Sequence, residues 1–121
     1  MKKAHVEAWL SGLRSGKYKQ HRGTLCNSEG RNKLDNATAF CCIGVAGVIS
    51  KKDFSPYYDT RRVGMELGMF NLPNFIFIEE GETNTRSAYD HLIYMNDKQK
   101  KSFAEIADWI EANILPNATE D

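Results

Sequence analysis

Two adjacent cysteines, Cys41 and Cys42, stand in the only long run without a polar residue, residues 39–49, which also holds Gly44 and Gly47. A thiol at a strand-to-helix junction gains from the field of the helix N-terminus, which lowers its pKa and makes it a nucleophile. Such a nucleophile needs a base. His91 is the best placed, with His5 and His21 behind it, and Asn96 or Asp97 is available to orient the imidazole. Against this, apolar neighbours raise a thiol pKa, and no local cysteine signature accompanies the pair. The balance favours buried structural cysteines. A cysteine-dependent hydrolase or transferase built on Cys41, Cys42 and His91 is therefore the alternative, and no catalytic residue is assigned.

The other reactive side chains are weaker candidates. Cys26, Cys41 and Cys42 lack the C-x-x-C or H-x-x-x-H spacing of a metal site, so no metal or other cofactor is expected. Glu79, Glu80 and Glu82 cluster at a turn and read as a solvated tip. Gly16-Lys17 lacks the spacing of a phosphate loop. The segment Lys17-Tyr18-Lys19-Gln20-His21-Arg22 is more informative, because cations alternate with a ring and an amide. That mixture suits an anionic, aromatic ligand, with cations for phosphate and a ring for stacking. Lys17, Tyr18, Lys19, Gln20 and Arg22 are the candidate ligand-binding residues; Arg61 and Arg62 join them if the fold brings them to that face.

The whole chain sets bounds on these readings. At 121 residues, with 41% apolar and 26% charged residues, it matches one soluble domain able to bury a core. The formal net charge is zero, yet residues 1–35 carry eight Lys/Arg against three acids, and the last seventeen residues carry five acids and no Lys or Arg. Such asymmetry means either a basic face able to meet an anion or two chain ends that face each other. The neutral total argues against strong nucleic-acid binding. Three cysteines, an odd number with two adjacent, fit reduced thiols in a cytosol. Lys2 and Lys3 are not followed by an apolar segment, so no signal peptide is expected. The run over 39–49 is about half of a membrane span. The expectation is a cytoplasmic protein with no membrane partner.

Helical periodicity places Val6, Trp9, Leu10 and Leu13 on one face of a first helix that stops at Ser15-Gly16. Residues 18–26 and 38–42 read as a β-hairpin around a polar loop at 27–36. Residues 43–49 read as a buried central helix. Residues 58–70 suggest a short helix with Val63, Leu67 and Phe70 on one face and Arg61 and Arg62 outside. Residues 72–80 suggest a strand followed by a turn at 80–84, and residues 88–95 a helix. Ser102-Phe-Ala-Glu105 matches the S-x-x-E capping box and opens a final helix with Phe103, Ile106, Ala107, Ile110 and Ile114 on one face. The fold class predicted is α+β: N-terminal helix, β-hairpin, buried central helix, a further strand or hairpin, and two C-terminal helices in a single domain.

The blocks Trp9-Leu-x-x-Leu-Arg-Ser-Gly-Lys-Tyr-Lys-Gln20, Gly23-Thr-Leu25, Phe40-Cys-Cys-Ile-Gly-Val45, Tyr94-Met-Asn-Asp97 and Ser102-Phe-Ala-Glu-Ile-Ala-Asp-Trp-Ile-Glu111 occur in that order. In this pattern the chain resembles a family of small, mostly uncharacterised proteins encoded by bacteriophages and prophages. The blocks name no reaction, and residues 50–86 depart most from the pattern. The resemblance implies an accessory protein of the infected host's cytoplasm. One form is a non-enzymatic binder that sequesters an anionic, cyclic nucleotide-like immune signal. The alternative is an inhibitor docking on a host defence protein through the apolar and acidic surface near Trp109. All-round apolar segments also suggest a homo-oligomer.

Overall fold

Val6, Trp9, Leu10 and Leu13 recur at helical spacing and are all buried on the inner face of α1 (Lys3–Arg14). The computed structural model describes residues 1–27, 34, 37–54 and 59–120, with the side chain of Glu79 left out. Most of the expected polar loop over 27–36, and the start of the expected helix at Tyr58, lie outside the described residues.

After α1 the chain forms β1 (Lys19–Gln20), then β2 (Ala39–Phe40), which leads directly into α2 (Cys42–Ser50). The expected hairpin here is realised in a different form. Lys19 and Gln20 pair with Ala39 and Phe40 in parallel, whereas Cys26 bridges Phe40 antiparallel. Gly23 (φ 98°) reverses the chain inside the segment read as one strand, a conformation open mainly to glycine. Residues 25–27 thus return along the opposite edge of β2. The His21 amide donates to Phe40 O (2.7 Å), the Cys41 amide to Leu25 O (2.9 Å) and the Asn27 amide to Ala39 O (3.1 Å). Residues 21–24 therefore cross the end of β2, where α2 begins.

α2 is the buried pivot. Cys42, Ile43, Gly44, Val45, Ala46 and Gly47 are all buried, so no polar stripe develops. The Trp9 indole N–H donates to Cys42 O across 2.8 Å, fixing α1 against α2. α3 (Thr60–Glu66) is capped by Asp59, whose carboxylate accepts from the Arg62 amide at 2.7 Å, and a short 3-10 turn, Met69–Asn71, follows. β3 (Phe75–Glu79) and β4 (Glu82–Arg86) form an antiparallel hairpin. Its turn is tighter than the expected 80–84. Only Glu80 and Gly81 lie in it, both at positive φ (50° and 80°), the geometry of a two-residue hairpin turn that follows strand twist.

α4 (Ala88–Ile93) runs into a π-helical turn, Tyr94–Lys98, and α5 (Phe103–Asn113) closes the fold against α1 before a 3-10 turn, Leu115–Asn117. The capping box forms as read: the Glu105 amide donates to Ser102 Oγ at 3.2 Å and the Ser102 amide to Glu105 Oε1 at 3.0 Å. The Ser102 amide and the Ser102 hydroxyl, both donating to Glu105 Oε1, hold the Glu105 carboxyl below its ordinary pKa. Ser102→Ala is expected to cost about 1 kcal/mol in chemical denaturation, with no change in the folded-state circular dichroism.

The fold is α+β, with an N-terminal helix, a hairpin and two C-terminal helices around one apolar core. No helix among the described residues is long and apolar enough to cross a membrane. The charge asymmetry has a structural counterpart, because the chain ends face each other. Arg14 donates to Asp108 Oδ1 and Glu111 Oε1, both at 2.9 Å, and Lys3 lies 3.9 Å from Glu120.

Candidate functional site

The crossing loop at 21–24 is held by Asn96, a polar side chain only 1% exposed. Asn96 Oδ1 accepts from the Cys42 amide (3.2 Å) and from Gln20 Nε2 (2.9 Å). Its Nδ2 donates to His21 O (3.0 Å) and to Asp97 Oδ1 (2.8 Å). Every hydrogen-bonding site of this carboxamide is used. Asp97 Oδ1 also accepts from the Gly23 amide at 3.0 Å. The π-helical turn is what aims two consecutive residues, Asn96 and Asp97, at the same loop; such turns occur often at functional sites.

Beneath the loop lies a cavity of about 250 Å³. Gly23 and Thr24 form one wall, Cys41 and Cys42 at the start of α2 a second, Thr60 of α3 a third, and Tyr89, Ile93, Asn96 and Asp97 the fourth. Four segments far apart in sequence converge here, and three of them contain the Gly23, Phe40 and Tyr94 blocks singled out above.

The thiols in this wall are not activated. Cys41 Sγ caps α2 by accepting from the Gly44 amide at 3.4 Å, and Cys42 Sγ donates to Leu92 O at 3.7 Å. Burial pushes the Cys41 thiol up to about 12, overriding the amide hydrogen bonds that favour the thiolate, and pushes Cys42 well above its ordinary value. His91 is on the other side of α4, two residues from Tyr89 and from Ile93, where its ring stacks on Phe77 (4.0 Å between centroids) and contacts Trp109 (4.7 Å). Arg86 Nη1 lies 3.5 Å from His91 Nδ1. The structure thus brings Cys41 and Cys42 to one cavity and His91 to another.

The folded state keeps protons on these buried groups that an unfolded chain releases, Tyr89 being pushed up by burial to about 12 as well. Stability from this source is complete below about pH 8.5, the ordinary thiol value, and falls as pH rises toward 12. Each thiol contributes a slope of up to about 1.4 kcal/mol per pH unit across that interval, and Tyr89 joins only above about pH 10, its own ordinary value. Denaturant midpoints are expected to drop steeply above pH 9, and less steeply in Cys41→Ala.

The basic segment is divided by its strand geometry. Gln20 Nε2 donates to Lys101 O (2.9 Å) besides Asn96, and Arg22 donates through Nε to Asn96 O (2.9 Å) and through Nη2 to Lys100 O (3.3 Å). Both side chains therefore tie the loop to residues 96–101, and neither lines the cavity. Tyr18 meets Phe40 edge-on at 5.8 Å, with Lys17 Nζ 5.6 Å from the Tyr18 ring centroid, and Lys19 is exposed. On α3, Arg61 stacks over Phe70 (4.9 Å), which packs on Tyr89 (4.8 Å), while Arg62 pairs with Glu66 at 3.2 Å. Arg61 is thus tied to the cavity wall through two rings. Thr24 lies within the Gly23-Thr-Leu25 block, whereas Tyr89 and Thr60 carry no motif in the sequence; their only signal is proximity in the chain to a block or a cap.

A second concavity, about 360 Å³, lies beside β3 and is lined by Phe77, Ile78, His91, Met95, Gln99, Lys101, Glu105 and Trp109. Alternation turns Phe75 and Phe77 inward, toward Trp109 and His91, and leaves Ile76 71% and Ile78 79% exposed. Among the described residues no group of three or more His, Cys, Asp or Glu side chains is disposed to hold a metal ion.

Comparison with family models, with curated proteins and with solved structures returns no match for this chain.

Proposed function

We propose that this protein is a non-enzymatic binder of a small anionic ligand of nucleotide type, and that the cavity beneath the 21–24 loop is where the ligand sits. The observation that carries this reading is the convergence of Gly23, Thr24, Cys41, Tyr89, Asn96 and Asp97 on one cavity whose thiols stay protonated. A concavity with a few placed polar groups and no activated nucleophile suits retention of a ligand better than its turnover. Arg61 beside the wall, with Lys17 and Lys19 on the exposed part of the basic segment, supplies cations for the ligand's phosphate. Gln20 and Arg22 act by fixing the loop. The phage resemblance gives the context: the protein works in the host cytoplasm and sequesters a cyclic nucleotide-like immune signal.

Calorimetry against cyclic and linear nucleotides tests this. One ligand is expected to bind with a stoichiometry of one per chain, and Arg61→Ala to weaken it. No heat with any member of the panel overturns the reading.

The exposed Ile76 and Ile78, beside the concavity near Trp109, favour a second reading, in which the protein inhibits a host protein by docking on it. The same hairpin is the surface available for a homo-oligomer. Ile76→Lys with Ile78→Lys is expected to abolish inhibition of the docked host activity while leaving ligand heats unchanged. Inhibition that survives both changes overturns the docking reading.

A further inference from the structure

The polar groups lining the cavity divide into those with partners in the protein and those without. Asn96 is saturated, and Thr24 Oγ1 donates to Cys26 O (3.0 Å) and meets His21 Nε2 (2.8 Å). Asp97 engages the protein through Oδ1 alone, in two hydrogen bonds. Its second oxygen has no partner among the described residues. Tyr89 is 8% exposed and lines the cavity, and its hydroxyl, which is not closed off from solvent, makes no hydrogen bond among the described residues. Its ring is held between Gly64 and Phe70, so the phenol is fixed in place rather than free to turn outward.

With the Thr60 hydroxyl, which also makes no hydrogen bond among the described residues, three groups of the lining are free, and the Asp97 oxygen and the Tyr89 hydroxyl differ chemically. A carboxylate oxygen only accepts, so it asks for an N–H. The Tyr89 hydroxyl carries its proton at neutral pH and so can donate. A phosphate placed here would set its negative charge against Asp97 and leave that carboxylate unpaired. The volume, about 250 Å³, is below the range of drug-sized pockets and suits one ring system. Ile93 and the Tyr89 ring give that ring apolar contact.

We propose, resting on the small-ligand reading above, that the cavity takes the base end of the ligand and reads an amino group beside a ring nitrogen, the edge of adenine or cytosine. The amino group donates to the free oxygen of Asp97, and the ring nitrogen accepts from Tyr89. The sugar and phosphate point out of the cavity, on the side where Arg61 is tied to the wall. Uracil lacks the amino donor and presents a carbonyl to Asp97, so it is disfavoured.

Calorimetry with adenosine, cytidine, uridine and their 5′-phosphates, with inorganic phosphate as a control, decides the matter. Adenine or cytosine ligands are expected to bind at least about tenfold more tightly than their uracil counterparts. Asp97→Asn keeps an oxygen for the Gly23 amide and Asn96 while turning the free acceptor into a donor, and is expected to remove or invert that preference. Tyr89→Phe removes a hydroxyl with no partner in the free protein, so its thermal midpoint is expected to be unchanged while its affinity falls about fivefold or more. If nucleotides bind without base preference, or the preference survives in both variants, recognition of the amino edge is overturned and the small-ligand reading stands. If no nucleoside or nucleotide binds, both are overturned.

Discussion

Asn96→Ala is expected to destabilise the protein by about 3 kcal/mol, a fall of roughly 10 °C in the thermal midpoint. The side chain is 1% exposed and makes four hydrogen bonds. Its removal leaves the Cys42 amide, at the buried start of α2, and His21 O without those partners. Gln20 keeps its bond to Lys101 O, so the loss stays below the sum of four bonds. Asn96→Asp discriminates between lost volume and lost polarity. It preserves shape, but it replaces two donations with a buried carboxylate facing His21 O and Asp97 Oδ1. Desolvation and like charge raise such a carboxyl's pKa, so the damage is expected to exceed that of Asn96→Ala at pH 7 and to ease as pH falls toward 5. Urea unfolding at the two pH values checks both statements. An alanine variant as stable as the parent would remove Asn96 from its role as the organiser of the site.

Gly44→Ala is the second large effect. A Cβ built at Gly44 falls 2.5 Å from Leu25 O and 3.2 Å from Phe40 Cβ. The carbonyl is backbone and already accepts from the Cys41 amide at 2.9 Å, so it cannot withdraw without breaking the pairing that returns the chain along β2. The expected cost is about 2–4 kcal/mol, because overpacking here displaces two elements at once. Gly47→Ala is the control. Its Cβ meets Leu34 Cδ1 at 2.7 Å and Val63 Cγ1 at 3.2 Å, both ends of side chains that can shift. Relief of glycine's helix penalty, about 1 kcal/mol, offsets part of that strain. Gly47→Ala is therefore expected to lie well below Gly44→Ala in guanidinium unfolding; equal losses would mean that α2 tolerates no Cβ on either face.

The two substitutions mark where the chain's own pattern stops determining the structure. Local signals carried α1 and α5, because an apolar stripe at helical spacing and a capping box depend only on near neighbours. They carried the burial of α2 too, whose residues have no polar face to expose. The sign of the β1–β2 pairing was not local. Gly23 permits a reversal without requiring one, and the parallel partner of Gln20 is set by a contact with Asn96 made 76 residues away. Nor was it local that Gln20 and Arg22 turn to backbone carbonyls of residues 96–101; in sequence they differ in no way from solvated, ligand-facing side chains.

The cysteines show the same division. Their types and apolar setting were legible from the sequence, and burial does raise both thiols. The separation of Cys41 from His91 was decided by tertiary structure alone, because α4 presents Tyr89 and Ile93 to one cavity and His91 to the other. Residue types and spacing determined which segments are helices and what must be buried. Only the packed structure decided which polar atoms remain free, since that depends on partners supplied by four distant segments. In the lining of this cavity those atoms are the second oxygen of Asp97 and the hydroxyls of Tyr89 and Thr60, which make no hydrogen bond among the described residues.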